Sequence, residues 1–172
     1  AATSEVPAAQ QVMQWMEEHQ PKEYEHRLIH NDFKYDNVVF KDTHWKEINA
    51  VLDWEMATLG DPLMDLGTSL GYWTMTTDHP AVQQGIPSPT LLAGNPGRGE
   101  IVQLYAEKSG RQVNHLIFYY AFGLFKIAVI AQQIFYRYNK GLTTDPRFAQ
   151  LDKAAELLCN LAWKAIQTKK IE

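Results

Sequence analysis

The sequence predicts an α+β fold, mainly α, with a small β-hairpin that carries a polar loop. Three observations predict it. Apolar residues recur at helical spacing near the start of the chain and again through most of its second half. Two short β-branched and aromatic runs, Val38-Val39-Phe40 and Ile48-Asn49-Ala50-Val51-Leu52, stand on either side of a turn. Directly before the first run lies the octapeptide His30-Asn31-Asp32-Phe33-Lys34-Tyr35-Asp36-Asn37, which concentrates acid, base and amide side chains.

Each element has its own reason. Residues 8–19 put Val12, Trp15 and Met16 on one helical stripe with Glu17 and Glu18 opposite, and Pro21 ends that helix. Arg27-Leu28-Ile29 is a short strand entering the octapeptide, and Val38-Val39-Phe40 leaves it. Asp42-Thr43-His44 reads as a turn, and residues 48–52 run back as the second strand, which brings Asn37 and Asp53 to the same end of a hairpin. Asp61-Pro62 is an N-cap with proline at the first helical position, opening a helix through Leu66 and Leu70. Residues 76–99 are rich in Pro and Gly without periodicity, which predicts a long, mobile loop that helps to shape a pocket. Its run Gly94-Asn95-Pro96-Gly97-Arg98-Gly99 follows no strand and lacks the spacing of a phosphate cradle.

Residues 100–108 form a short amphipathic helix that stops at Ser109-Gly110. A strongly apolar helix follows over about 114–138 and closes at Gly141. Its most apolar part, residues 121–131, is interrupted by Lys126 and is too short for a membrane span, so it reads as a central core helix, and the aromatic cluster Phe118, Tyr119, Tyr120 and Phe122 as core or pocket lining. Asp145-Pro146 caps the last helix, with Leu151, Ala154, Leu158, Leu161 and Ala162 on its buried stripe.

The octapeptide has the form H-x-D-x-x-x-x-N, and Asp53-Trp54-Glu55 follows one strand pair later. In a kinase catalytic loop of that form the Asp orients the attacking hydroxyl and takes its proton, the Asn holds a metal ion, and a further Asp holds Mg²⁺ at the phosphates. Asp32 fits the base, Asn37 the metal-binding amide and Asp53 the second metal ligand. Hard Mg²⁺ prefers oxygen donors, which an amide and a carboxylate supply. His30 then pins the loop by hydrogen bonding and packing. His26 and His30 stand four apart across a strand and a loop, so the helical zinc spacing does not apply. Lys34 is a candidate catalytic residue that reaches the transferring phosphate, with a plain surface lysine as its alternative. Lys126 and Arg137 are candidates for an anionic substrate, or else snorkel or pair internally. Glu55 either orders metal or water or serves a structural hydrogen bond.

At these residues the chain resembles the aminoglycoside phosphotransferase and choline kinase-like family, and most of all the phosphotransferase domains related to those fused to acyl-CoA dehydrogenases. The resemblance rests on residues 30–37, on Ala50-Val51-Leu52-Asp53-Trp54-Glu55, and on Leu59-Gly60-Asp61-Pro62-Leu63-Met64-Asp65-Leu66. Protein kinases carry Asp-Phe-Gly where this chain has Asp-Trp-Glu. The resemblance implies a protein-kinase-like large (C-terminal) lobe, ATP as phosphoryl donor with Mg²⁺, and a small-molecule hydroxyl as acceptor. It also implies that Asp65 braces the catalytic loop through its backbone amides. The group usually has Gly where this chain has Asn31 and Asp36, and both residues tolerate left-handed backbone. A kinase-like fold also needs a β-rich lobe that covers the phosphates. Only 29 residues precede His30, so residues 1–172 are expected to be the C-terminal lobe alone, a fragment without the nucleotide-binding lobe and weakly active by itself.

Composition narrows the rest. A chain of 172 residues suits one domain, and a net charge of −4 with no basic stripe argues against nucleic acid as a partner. The single Cys159 excludes an internal disulfide and fits a buried structural thiol. The first residues are Ala-rich without the basic and apolar segments of a signal, so a cytoplasmic protein that binds no membrane is expected. Two rival functions remain beside the phosphotransferase. One is a non-catalytic kinase-like binding or scaffold domain, against which the intact Asp32, Asn37 and Asp53 set weighs. The other is a metal-dependent phosphate hydrolase, which the Asp-Trp-Glu and Gly-Asp-Pro context disfavours.

Overall fold

Short strands on either side of the polar loop form two separate antiparallel pairs. The computed structural model describes residues 6–42, 44, 46–85 and 88–171. Helix α1 spans Pro7–Glu18 and buries Val12 completely. Strand β1, Arg27–Ile29, leads into the loop, and a single 3-10 turn over Tyr35–Asn37 leads out of it into β2, Val38–Phe40. Strand β3, Ile48–Val51, pairs with β2 in the register Val38↔Val51, and Leu52 N donates to Asn37 O at 2.8 Å. The hairpin therefore does bring residues 37 and 53 to one end. Of the predicted turn, Thr43 lies outside the described residues, while Asp42 accepts from His44 N at 2.8 Å. The sequence did not predict β4, Thr58–Gly60, which pairs with β1 through Leu28↔Leu59. Three-residue strands carry too little alternation to be recognised before their partner is known.

The helical layer begins with α2, Pro62–Tyr72. Asp61 caps it by accepting from Leu63 N at 2.9 Å, and its other carboxylate oxygen accepts from the buried Tyr119 hydroxyl at 2.7 Å. The predicted long loop is partly ordered into α3, Pro80–Gly85, a 3-10 turn over Pro89–Leu91, and the start of α4, Arg98–Ser109. The near-absence of periodicity there reflects elements too short to show any. The cause of order is polar: Arg98 meets Asp78 through two hydrogen bonds, 2.6 and 2.8 Å, in a nearly fully buried pair, and Asp78 also accepts from Met75 N. Gly110 ends α4 in the left-handed conformation, as its position requires.

Helix α5, Leu116–Asn139, is the central helix and packs against α2 and α6, Leu151–Thr168. Its 24 residues are long and apolar enough to cross a membrane, longer than the apolar stretch alone suggested, yet Tyr119, Tyr120, Leu124, Ile127 and Ala128 are buried against the neighbouring helices. Asp145 caps a 3-10 turn, Pro146–Gln150, rather than α6 itself. The stripe of α6 is accordingly rotated from the expected one: Ala155, Leu158, Cys159, Ala162, Ala165 and Ile166 are buried, while Leu151, Ala154 and Leu161 are only half-buried. Helices α2 and α5 touch backbone to backbone at Gly67 and Gly123, where an added Cβ would stand 2.0 Å from Tyr119 O and 2.1 Å from Gly67 O respectively.

Candidate active site

The loop over residues 30–37 is fixed by hydrogen bonds rather than by apolar packing. Asn31 has φ 66°, a left-handed conformation that Asn adopts more readily than most residues. Asp36, by contrast, lies in the right-handed 3-10 turn and needs no such tolerance. The turn delivers Asn37 beneath Asp32, and Asn37 Nδ2 donates to Asp32 O at 2.8 Å and to Asp32 Oδ2 at 3.3 Å. Lys34 Nζ contacts the same Oδ2 at 2.8 Å and lies 4.7 Å from the centre of the Tyr72 ring. Asp32 Oδ1 is buried with no hydrogen-bond partner among the described residues. Asp32, Lys34 and Asn37 thus stand together as one polar cluster.

Asp53 is joined to that cluster through its neighbour. Leu52 donates through N to Asn37 O, and its carbonyl receives His30 Nε2 at 2.7 Å. His30 Nδ1 accepts from Asp32 N at 3.2 Å, so the ring carries its proton on Nε2 and links the base to the chain entering Asp53. The Trp54 ring lies 4.7 Å from the His30 ring, and its Nε1 donates to Val51 O. Asp53 itself is left-handed, φ 66°, at the mouth of the short turn Trp54–Met56. Its carboxylate is exposed and makes no hydrogen bond or ion pair among the described residues. Glu55 is exposed in the same turn.

Helix α2 holds the loop from one side. Asp65 Oδ2 accepts from His30 N at 2.8 Å, Asp65 Oδ1 accepts from Asn31 N at 2.6 Å, and Ser69 Oγ donates to Phe33 O at 2.7 Å. One helical turn on, Tyr72 stands beside the Asp32 carboxylate, and burial together with that negative charge pushes the phenol well above its usual range. Sequence reasoning missed Ser69 and Tyr72. Their spacing from Asp65, four and seven residues, marks one face of a helix and was the available signal. Helix α5 holds the loop from the other side, where Lys126 Nζ donates to Asn31 O and to Asn31 Oδ1. Lys126 is thus engaged inside the protein by hydrogen bonds to a neutral residue rather than by the ion pair that the sequence suggested. Arg137 is exposed near the end of α5.

A cavity of about 490 Å³ opens beside this cluster. Lys34 and Tyr72, both in contact with Asp32, form part of its wall, and Phe33, Phe40, Trp73, Ile127 and Leu158 make the rest largely apolar. Ser88, Pro89 and Thr90 form one side, and the segment after them is hydrogen-bonded to residues of the wall. There Asn95 accepts from the Tyr35 hydroxyl and donates to Pro89 O and Leu92 O, and Pro96 O accepts from Trp73 Nε1. The glycine-rich run is therefore tied into the cavity wall.

The model of the phosphotransferase enzyme family matches residues 2–98, which include the whole cluster. The chain belongs to that family. It is 38% identical over 148 residues to human acyl-CoA dehydrogenase family member 11, covering 82% of this chain and 18% of that protein. It is 32% identical over 164 residues to mouse acyl-CoA dehydrogenase family member 10, covering 95% of this chain and 15% of that protein. A crystal structure assigned as an aminoglycoside phosphotransferase from Ralstonia eutropha superposes with a TM-score of 0.82 at 28% identity, covering 96% of this chain and 50% of that one. The chain thus spans less than a fifth of these curated relatives and half of the solved structure. The expected family and the mainly α, kinase-like fold are both shown by these matches, and the chain is a kinase-like phosphotransferase domain.

Proposed function

We propose that the chain supplies the catalytic-loop side of an ATP-dependent phosphotransferase, which moves the γ-phosphoryl group to a hydroxyl of a small molecule. The observation that carries this reading is the unpaired oxygen of Asp32. A buried carboxylate oxygen without a donor is costly, and an acceptor hydroxyl donating to it satisfies it. That contact is also the one a general base needs. Lys34, held against the other oxygen, places a positive charge where the equatorial phosphoryl oxygens gather charge.

The donor set fits Mg²⁺. With Asn37 Nδ2 committed to Asp32, the amide oxygen is the end left for a cation, and the Asp53 carboxylate is free of protein partners among the described residues. No three His, Cys, Asp or Glu side chains converge as a metal cage among the described residues, and Mg²⁺ with nucleotide needs only one or two protein oxygens beside phosphate and water. Bound there, the ion would neutralise phosphate charge. His30 keeps the base in register with the chain entering Asp53, since it bonds both the Asp32 amide and the Leu52 carbonyl. The groups that cover the phosphates in kinase-like folds would come from the half of the fold that the Ralstonia structure has in addition.

The cavity favours an acceptor with an apolar body. Among the described residues Asp36 is the one acidic residue in its wall, too little charge for a polycationic substrate, whereas the aromatic and aliphatic lining suits a hydrocarbon chain. Both curated relatives are named as acyl-CoA dehydrogenases, and a hydroxyl on an acyl chain is an acceptor of this kind. The test is phosphoryl transfer from Mg-ATP by the full-length protein to hydroxylated acyl and aminoglycoside acceptors. Asp32→Asn is expected to lower turnover roughly 10²–10⁴-fold. Transfer that survives this substitution overturns the assignment of the base.

A further inference from the structure

The two helices that hold the loop do so by different means, and the α5 contact is peculiar to the residue it grips. Asn31 stands between His30 and Asp32 in the left-handed conformation. Glycine meets that backbone requirement without strain, but a glycine has no side chain to hold. Here the side chain is used: Asn31 Oδ1 accepts from Lys126 Nζ at 2.7 Å, and the backbone oxygen of the same residue accepts from the same ammonium. The remaining backbone group, Asn31 N, donates to Asp65. One residue is thereby tied to α5 through its oxygens and to α2 through its nitrogen, immediately before the proposed base.

Lys126 is not a surface cation that happens to lie near. It is half-buried, and the loss of hydration lowers its pKa while Asp32 and Asp65 act in the opposite sense, with Lys34 adding to the lowering. A lysine kept in such a place needs acceptors close at hand, and Asn31 provides two.

We propose that Lys126 and Asn31 form a positioning pair that sets where the Asp32 carboxylate stands, so that its loss slows the chemical step rather than weakening substrate binding. The pair acts through the backbone: Lys126 fixes the Asn31 carbonyl, which fixes the peptide plane leading into Asp32. The kinetic part of this inference rests on the phosphotransferase reading, whereas the conformational part does not.

The experiment compares Lys126→Met, Lys126→Arg, Asn31→Gly and the double variant Lys126→Met with Asn31→Gly in the full-length protein. Expected are losses in kcat on the order of 10- to 100-fold for Lys126→Met and a smaller loss for Asn31→Gly, with KM for Mg-ATP and acceptor changed less than about twofold. Lys126→Arg should recover part of the rate. The double variant should be no slower than Lys126→Met, because the two residues act as one unit. Amide hydrogen exchange supplies the independent readout: the His30, Asn31 and Asp32 amides should exchange faster in Lys126→Met while α2 and α5 keep their protection. Asn31→Gly retains both the backbone conformation and the half-buried lysine, so it remains informative if Lys126→Met folds poorly.

Unchanged exchange in the loop, or losses that multiply in the double variant, would overturn the pair. A raised KM at constant kcat would assign Lys126 to substrate binding and overturn it as well. If the wild-type protein transfers no phosphoryl group, the phosphotransferase reading fails, and the exchange measurement alone decides the pair.

Discussion

The α2–α5 crossing and the loop above it are built by opposite means. At the crossing, backbone meets backbone: Gly67 and Gly123 leave no room for a single Cβ. In the loop, Phe33 is exposed, and the shape comes from hydrogen bonds to Asp65, Ser69, Lys126 and His30. Close packing fixes distance, while hydrogen bonds fix direction. The difference teaches how the two regions divide the work. The crossing sets how far Asp65 and Ser69 on one helix stand from Lys126 on the other, and the loop hangs between them. Stability and reactivity should therefore be separable by substitution.

The largest effect expected falls wholly on the loop. Asp53→Ala, which removes a ligand of the proposed Mg²⁺ but no protein contact, should cut phosphoryl transfer at least about 100-fold and raise the Mg²⁺ requirement, with thermal unfolding lowered only by the strain of alanine in the left-handed conformation, about 1 kcal/mol. A normal magnesium titration would break the assignment. On the other side of the comparison, Gly67→Ala should cost about 3 kcal/mol through overpacking, a fall in Tm on the order of 10 °C. Calorimetry checks this, and an unchanged Tm would mean that the crossing relaxes freely.

Asp65→Asn tests the joint between the regions. Its carboxylate accepts from two backbone amides, and an amide side chain can accept for one of them at most in the same geometry, leaving roughly 1–3 kcal/mol unrecovered. Both Tm and kcat should fall, where the two preceding variants each move mainly one. The smallest effect concerns the core alone. Burial pushes the Cys159 thiol up to about 11, with Glu156 adding to it, so folding favours the neutral thiol. Its contribution is complete below the unfolded value near 9.0 and is lost as pH rises toward 11. Denaturant unfolding across that range should show a shallower alkaline decline in Cys159→Ala than in the wild type, with phosphoryl transfer at neutral pH alike in both.

Much of the molecule was legible before any coordinates. The β2–β3 hairpin, the Asp61 cap, the glycine stop after α4 and the core character of α5 all follow from local rules of alternation, capping and period. The ordering of residues 76–85 and 88–97 was not, because the Arg98–Asp78 pair joins residues 20 apart and leaves no periodic trace. The rotated stripe of α6 escaped for a related reason. The 3-10 turn over Pro146–Gln150 takes the cap that the sequence seemed to give the helix, and the apolar cavity beside Leu151, Ala154 and Leu158 takes part of the expected stripe.

The sequence by itself determined the chemistry available: a carboxylate, an amide and a second carboxylate at kinase-like spacing, on the strands and helix cap that present them. Spacing along a loop is local, and motif order survives without knowledge of the fold. Only the tertiary structure decided which of these groups is paired and which is left open. Asp32 keeps one oxygen free, Asp65 is consumed by two amides, and Lys126, open from sequence to a substrate or an internal role, is spent on Asn31. That choice belongs to the crossing of α2 and α5, because hydrogen bonds between residues about 35 and 95 positions apart form only where close packing has already set the distance.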